Sequence, residues 1–402
     1  MPTNAIVPLT TVLSGVGIAS VFYSASILAI LRVPSIECHA VYMHRMKLTG
    51  GNDLNHPEQF GFAHCQATPF FIKTRDGEKL HAWHVLPIGL YQQNAKRLVT
   101  QDRNRGRDIS KGLNFRLLKE DPEARLVIHT HGSSGALSAY CRTECYRSLS
   151  STAPNKIHVL AFDYRGFGLS SGTPSEKGLI VDAQSVFRWA TDVAGIAPER
   201  IVVFGQSMGS SVAIALARTL AVQKVSIAGL IITGSFPDVP TMLTEYRTFF
   251  GLRAFGLLAK FPSLKVFCTQ GMRNQWPNLD RLVEVVRHSP AYHIEIFHAQ
   301  DDPVVPWTLS NKFFEHAVGA TKQKRMHQVE FNKEKESKTV LLGEGGWYVE
   351  WPTPNGVIRQ EVPRYGVHDR IMMQPQIAMA VMRAFRSKDS AFAVDSKCVH
   401  SE

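Results

Sequence analysis

The sequence predicts an α/β chain in which a mostly parallel sheet is covered by helices on both faces. Three observations carry this. Short apolar, β-branched runs alternate with helical stretches over residues 120–320, the rhythm of parallel strands joined by crossover helices. A length of 402 residues with 44% hydrophobic side chains suits one large α/β domain with insertions better than two domains. The run from Ile201 to Ala217 passes from a buried strand through a sharp turn into a helix of small residues.

That turn is Gly205-Gln206-Ser207-Met208-Gly209, a Gly-x-Ser-x-Gly elbow. The motif is informative only between a strand and a helix, and both are present. Its glycines admit a strained turn that lifts a serine hydroxyl to the top of the sheet, at a helix N-terminus. Upstream, Arg125-Leu-Val-Ile-His-Thr-His-Gly-Ser-Ser-Gly135 reads as a buried strand ending in a His-Gly turn. In an α/β-hydrolase fold this position supplies the second oxyanion-hole amide, which makes the N–H groups of Ser133 and Met208 the expected pair. His129 and His131 read as loop-packing imidazoles. Next, Ile157 to Gly172 is a strand running into a Gly-rich turn. Asp163 and Arg165 there precede the nucleophile, whereas the fold keeps the order Ser, acid, His, so both are expected to brace the loop.

The acid should follow a later strand. Residues 291–298 supply one, leading into Asp301-Asp302-Pro-Val-Val-Pro306. Asp302 is preferred by its offset from the Val-Pro pair, with Asp301 the alternative. The base must be a histidine beyond the acid. His316 lies in a helical stretch, His327 in a basic segment and His400 in the tail, which leaves His368, preceded by a turn glycine and followed by a helix over 375–386. Ser207, Asp302 and His368 would form a nucleophile, acid and base set.

The stretches Asp163-Tyr-Arg-Gly-Phe-Gly, Gly172-Thr-Pro-Ser-Glu176, the elbow and His298-Ala-Gln-Asp-Asp-Pro-Val-Val-Pro306 together resemble the monoacylglycerol lipase and lysophosphatidylserine lipase subgroup of membrane-anchored α/β-hydrolase-domain proteins. The resemblance covers roughly residues 65–390. It implies Ser207 as nucleophile, one aspartate of the 301–302 pair as acid, His368 as base, and hydrolysis of single-chain lipid esters without metal or organic cofactor. Three features depart from the subgroup's pattern: Gln206 replaces a histidine, Ser133 replaces an asparagine, and the segment between acid and base is long. The rival readings are a thioesterase acting on acylated protein cysteines with the same residues, and a catalytically silent binding protein.

Residues 1–31 contain no charged side chain, and residues 6–31 are mostly apolar, enough for the about 20 residues that a bilayer span needs. The expectation is a membrane anchor and linker over 1–45, a hydrolase domain over 46–390 with a cap at 236–288, and a tail over 391–402. Arg32, Arg45 and Lys47 follow the span and no basic residue precedes it, which puts the catalytic domain in the cytosol. The absence of an Asn-x-Ser/Thr acceptor agrees. The resemblance instead implies the endoplasmic reticulum membrane with a luminal domain. A formal charge of +11 suits anionic lipid headgroups. The basic insertions 92–116 and 318–338 are expected as solvated loops, and neither suggests nucleic-acid binding. The cap stretch 249–258 is read either as core or as an apolar lid. Six cysteines make no disulfide framework, and Cys141 with Cys145 lacks the further ligands of a zinc site.

Overall fold

Ten strands form one sheet in the computed structural model, which describes residues 9–102, 109–245, 261–321 and 327–392. In chain order they are β1 (Ala67–Lys73), β2 (Lys79–Val85), β3 (Arg125–Thr130), β4 (Ile157–Phe162), β5 (Ile201–Gln206), β6 (Gly229–Thr233), β7 (Tyr292–Phe297), β8 (Thr339–Leu341), β9 (Trp347–Thr353) and β10 (Gly356–Val362). Across the sheet the order is β1-β2-β4-β3-β5-β6-β7-β10-β9-β8. The six strands from β4 to β10 run parallel, and antiparallel pairs close both edges. Strands β3 to β7 are buried along their whole length, as expected where helices cover both faces. This is the predicted α/β-hydrolase architecture.

One face packs Leu179, Val186, Val212, Leu216, Leu282, Val285 and Phe313 from the helices Glu176–Arg188, Met208–Val222, Asn278–His288 and Leu309–Ala320. The other packs Tyr146, Leu149, Val381 and Phe385 from Arg142–Thr152 and Pro375–Arg386. Parallel pairing brings the C-terminal ends of β3, β5, β6, β7 and β10 to one edge. The loops that follow them meet there, where open α/β sheets place their ligands.

The two insertions differ from the expected loops. Ile88–Asp102 and Leu113–Lys119 are helices, and Leu98 and Leu113 close a small cluster with Cys65 and Leu86. Gln328–Ser337 is also a helix, and its Phe331 stacks on Trp351 at 5.8 Å. A few apolar residues, diluted by charge, anchor these helices.

The N-terminal stretch forms a helix over Leu9–Ile30. Among the described residues no helix is long and apolar enough to cross a membrane, so the span expected over 6–31 is not shown. Residues 1–8 lie outside the described residues, and Ser14, Gly15, Gly17, Ser20, Ser24 and Ser26 lower the hydropathy of the rest. Pro34 then starts a second helix, Pro34–Tyr42, which packs as part of the hydrolase body. Leu31, Val41 and Tyr42 join the core. The fully buried Glu37 accepts the N–H groups of Arg273 at 2.9 Å and Asn274 at 2.7 Å. The stretch 249–258 and His400 lie outside the described residues.

Candidate active site

Ser207 follows β5 and caps the helix Met208–Val222 with φ 55° and ψ −124°, a positive-φ backbone that costs of order 1–3 kcal/mol. Neighbours hold it there. The Ser207 N–H donates to Thr233 O at 2.8 Å, and both elbow glycines are sterically required. A Cβ on Gly209 would lie 1.9 Å from Thr130 O, and one on Gly205 2.5 Å from Gly209 O. The strand, elbow and helix therefore interlock without room for a methyl group.

His368 follows β10 and Asp302 follows β7, two strands paired in parallel. Ser207 Oγ lies 2.9 Å from His368 Nε2, and His368 Nδ1 lies 2.7 Å from Asp302 Oδ2. The three residues expected from chain order thus form one hydrogen-bonded chain. Asp301 is turned away from the imidazole and accepts the Val367 N–H at 2.8 Å, fixing the turn that presents His368. His316 is an exposed helix residue bonded to the Lys312 carbonyl one turn earlier, and His327 starts the helix Gln328–Ser337.

The electrostatics suit a carboxylate that orients a base. Burial would raise the Asp302 carboxyl, but the His368 charge and hydrogen bonds from His298 and His368 outweigh it and hold it well below the usual range. Asp302 Oδ1 accepts the N–H groups of Val304 and Val305 at 2.8 and 2.9 Å. Burial alone would depress His368, yet its ring is raised above its ordinary value because Asp302 faces it.

Met208 begins its helix, so its N–H has no intrahelical partner. The Ser133 N–H has no hydrogen bond among the described residues. Gly132 sits against the elbow, where a Cβ would lie 3.2 Å from Ser207 Cβ. His129 is buried edge-on against Tyr146 and Phe204, with burial driving it neutral. Asp163 accepts the Leu137 N–H at 2.7 Å, and Arg165 bonds Asp182 and Asp76. All three carry structure, as their positions in the sequence suggested. Cys141 and Cys145 are free.

A cavity of about 420 Å³ opens above Ser207 and His368. Its walls are mainly apolar, with Val41, Met43, Phe236, Leu243, Val304 and Val305 among them. The volume lies in the range of ligand pockets. Sequence reasoning missed three contributors. Gln206 ties the elbow to the base loop through Nε2, 3.2 Å from His368 O and 3.1 Å from Asp369 Oδ1. His298 Nε2 supports Asp302 Oδ2 at 3.0 Å. Ala40, Val41 and Met43, from the segment read as a linker, line the cavity. Gln206 and His298 each stood inside a quoted motif, whereas Ala40, Val41 and Met43 gave no local signal.

Comparisons with known proteins bear on the family. The chain is 29% identical over 308 residues to the lysophosphatidylserine lipase ABHD12 of Gallus gallus, covering 74% of this chain and 70% of that protein. It is 27% identical over 306 residues to the Rattus norvegicus protein of the same name, covering 74% and 67%. The esterase Pf2001 of Pyrococcus furiosus superposes with a TM-score of 0.47 at 16% identity, over 83% of this chain and 95% of that one. The profile of the Alpha/beta hydrolase family matches residues 126–330, from β3 through the elbow and Asp302. With the sheet order and the elbow already in place, that match over half its length means that the chain belongs to the alpha/beta hydrolase family.

Proposed function

We propose that this chain is a serine hydrolase of carboxylic esters whose acyl part is a single lipid chain, with a monoacylglycerol or lysophospholipid as substrate. The observation that carries the reading is the Ser207–His368–Asp302 chain at the floor of an apolar cavity. Ser207 Oγ attacks the ester carbonyl carbon while His368 Nε2 takes the hydroxyl proton. Asp302 keeps the remaining ring proton on Nδ1. The Ser133 and Met208 N–H groups stabilise the oxyanion, whose collapse breaks the carbonyl–alkoxy bond. His368 hands its proton to the leaving alcohol. Water then repeats the sequence on the acyl-enzyme and releases the fatty acid. The names of the lysophosphatidylserine lipases that this chain resembles favour a lysophospholipid among single-chain esters.

The same reading puts the enzyme at a lipid surface, in the endoplasmic reticulum membrane, through its N-terminal helix. Supporting this, Val16, Ile18, Phe22 and Tyr23 of Leu9–Ile30 are 59–69% exposed, and Val266 and Phe267 are exposed on the helix Pro262–Thr269 packed beside it. Such an apolar patch is costly in water and suited to lipid.

Labelling with a fluorophosphonate probe, wild type beside Ser207→Ala, tests the chemistry. Loss of labelling and of lysophosphatidylserine and monoacylglycerol hydrolysis in a folded variant is expected. Equal labelling of the two proteins would sink the hydrolase reading. Retention of the full-length chain in the membrane fraction through alkaline washing tests attachment, and microscopy of the tagged chain tests its location.

A further inference from the structure

We infer that Arg142, which does not line the cavity, is the positioning residue that aims the Ser133 N–H at the substrate. The inference rests on the serine-hydrolase reading of Ser207.

Arg142 is a buried arginine at the start of the helix Arg142–Thr152. Its guanidinium faces inward on the loop that joins β3 to that helix. Nη2 lies 3.1 Å from Gly132 O, 3.2 Å from Ser133 O and 2.8 Å from Ser134 O, and Nη1 lies 2.5 Å from Ala136 O. One side chain thus gathers four carbonyls within five residues. A planar fork of N–H donors can do this, and a single ammonium cannot do it with the same geometry.

The consequence follows from peptide geometry. In a trans peptide the N–H points opposite to the C=O, so fixing the carbonyl fixes where the N–H aims. Three of the four captured peptides have both ends occupied. The Ser134 N–H donates to Tyr42 O at 2.9 Å and the Gly135 N–H to Met46 O at 2.7 Å. The Leu137 N–H donates to Asp163 Oδ1 at 2.7 Å. The fourth is the Gly132–Ser133 peptide. Its carbonyl is held by Arg142 and by His131 Nδ1 at 2.8 Å, while its N–H has no partner among the described residues. Ser133 lines the cavity beside Ser207. Of the four peptides that Arg142 holds, this is the one whose N–H is left over among the described residues, and it is the donor the oxyanion needs.

Arg142 is a poor choice if filling space were the purpose. Burying a guanidinium is expensive, and its Nε has no hydrogen-bond partner among the described residues. Asp163 and Asp369 supply the nearby negative charge. A preorganised hole repays that cost in the transition state, because its dipoles need no reorientation when charge develops.

The test compares wild type, Ser207→Ala, Arg142→Lys and Arg142→Met in the full-length protein. It reads kcat and KM on a short soluble ester, and affinity for two inhibitors. A trifluoromethyl ketone forms the tetrahedral oxyanion on Ser207, whereas a non-hydrolysable ether analogue occupies only the ground state. Removing an oxyanion donor outright costs about 10²–10³ in kcat, and misaiming one should cost about 10–100-fold in Arg142→Lys and more in Arg142→Met. KM and ether affinity should stay within about twofold, while ketone affinity falls in step with kcat/KM. A merely structural role would lower turnover only with the folded fraction seen by circular dichroism, or weaken both inhibitors alike, and either result overturns the inference. Failure of both variants to fold also overturns it, since the residue would then serve the fold. Turnover surviving in Ser207→Ala would instead remove the parent reading. An inert Ser207→Ala beside an unimpaired Arg142→Lys would remove only this inference.

Discussion

Replacing Asp302 by Asn exchanges one carboxylate oxygen for an NH2 group, and the surroundings dictate the result. Asp302 Oδ1 accepts the N–H groups of Val304 and Val305. The substituted amide must keep its carbonyl oxygen there, or leave two backbone N–H groups unsatisfied. Its NH2 then takes the place of Oδ2, 2.7 Å from His368 Nδ1 and 3.0 Å from His298 Nε2. An NH2 facing Nδ1 requires a lone pair on Nδ1, so the ring proton moves to Nε2, where it faces Ser207 Oγ. His368 can no longer accept the serine proton. The same tautomer error in a serine protease lowers turnover about 10⁴-fold, or ~5.5 kcal/mol in the barrier. That drop is expected here in kcat on a p-nitrophenyl ester, with a cooperative melt retained. Asp301→Asn can still accept the Val367 N–H and should change kcat by about threefold or less. A reversed ranking at equal stability would refute the assignment.

The pH dependence gives a second reading of the same substitution. Activity needs neutral His368, and Asp302 raises its pKa, so kcat/KM in the wild type should rise with pH through a midpoint above the ordinary value of about 6.5. In Asp302→Asn burial is opposed only by the Asp369 charge, so the midpoint of residual activity should fall below that of the wild type. For stability the signs are opposite. The raised His368 contributes stability that is complete below its unfolded pKa and lost as pH rises through the folded one. The depressed Asp302 contributes stability that is present above about 3.9 and lost as pH falls through its folded pKa. An acid limb that stays put in Asp302→Asn would mean the two groups are not coupled.

Gln206→Leu removes two hydrogen bonds between the elbow and the base loop, each worth about 0.5–1.5 kcal/mol. It should lower kcat by about tenfold with KM little changed, and an unchanged kcat would show that the loop is held by other contacts. Gly209→Ala puts a methyl 1.9 Å from Thr130 O and should abolish folded protein in expression trials, so a folded, active variant would contradict the interlocked elbow. Removing residues 1–31 should preserve hydrolysis of short soluble esters, while removing residues 1–48 should abolish it; equal activity of the two truncations would contradict the role given to the intervening segment.

What was legible in the sequence was local or ordered along the chain. The elbow is five residues in a row, and the strand before it and helix after it are contiguous. Asp302 and His368 were accessible because the fold fixes their order behind Ser207, although 66 residues separate the pair. The choice of Asp302 over Asp301 needed only an offset, because adjacent residues in a turn cannot both face the same imidazole. Arg142 was not legible. Its role exists only once a helix start has been folded back onto the loop before it, and nothing in Cys141-Arg142-Thr143 announces four carbonyls. The helices inside the two insertions were hidden by charge, since Leu98, Leu113 and Phe331 stand in stretches rich in polar and basic residues and pack against partners elsewhere in the chain.

The N-terminal segment is the clearest case of a role that sequence could not assign. Read along the chain, residues 32–45 look like a linker between an apolar helix and a catalytic domain that starts at 46. In the fold they hold that domain together. Tyr42 O and Met46 O accept two N–H groups of the loop bearing Ser133, Lys47 O accepts that of Ala136, and Val41 O accepts the Ser133 hydroxyl at 2.9 Å. Arg142 grips the carbonyls of the same loop from the other side. The loop is thus clamped between its own helix and a strap roughly ninety residues upstream. Without the strap, three amides of that loop would lose their acceptors, and the peptide that carries the Ser133 N–H would be held from one side alone. The division between attachment and catalysis therefore falls near Leu31, where the exposed helix ends and the buried strap begins, and this is why the two truncations should part company.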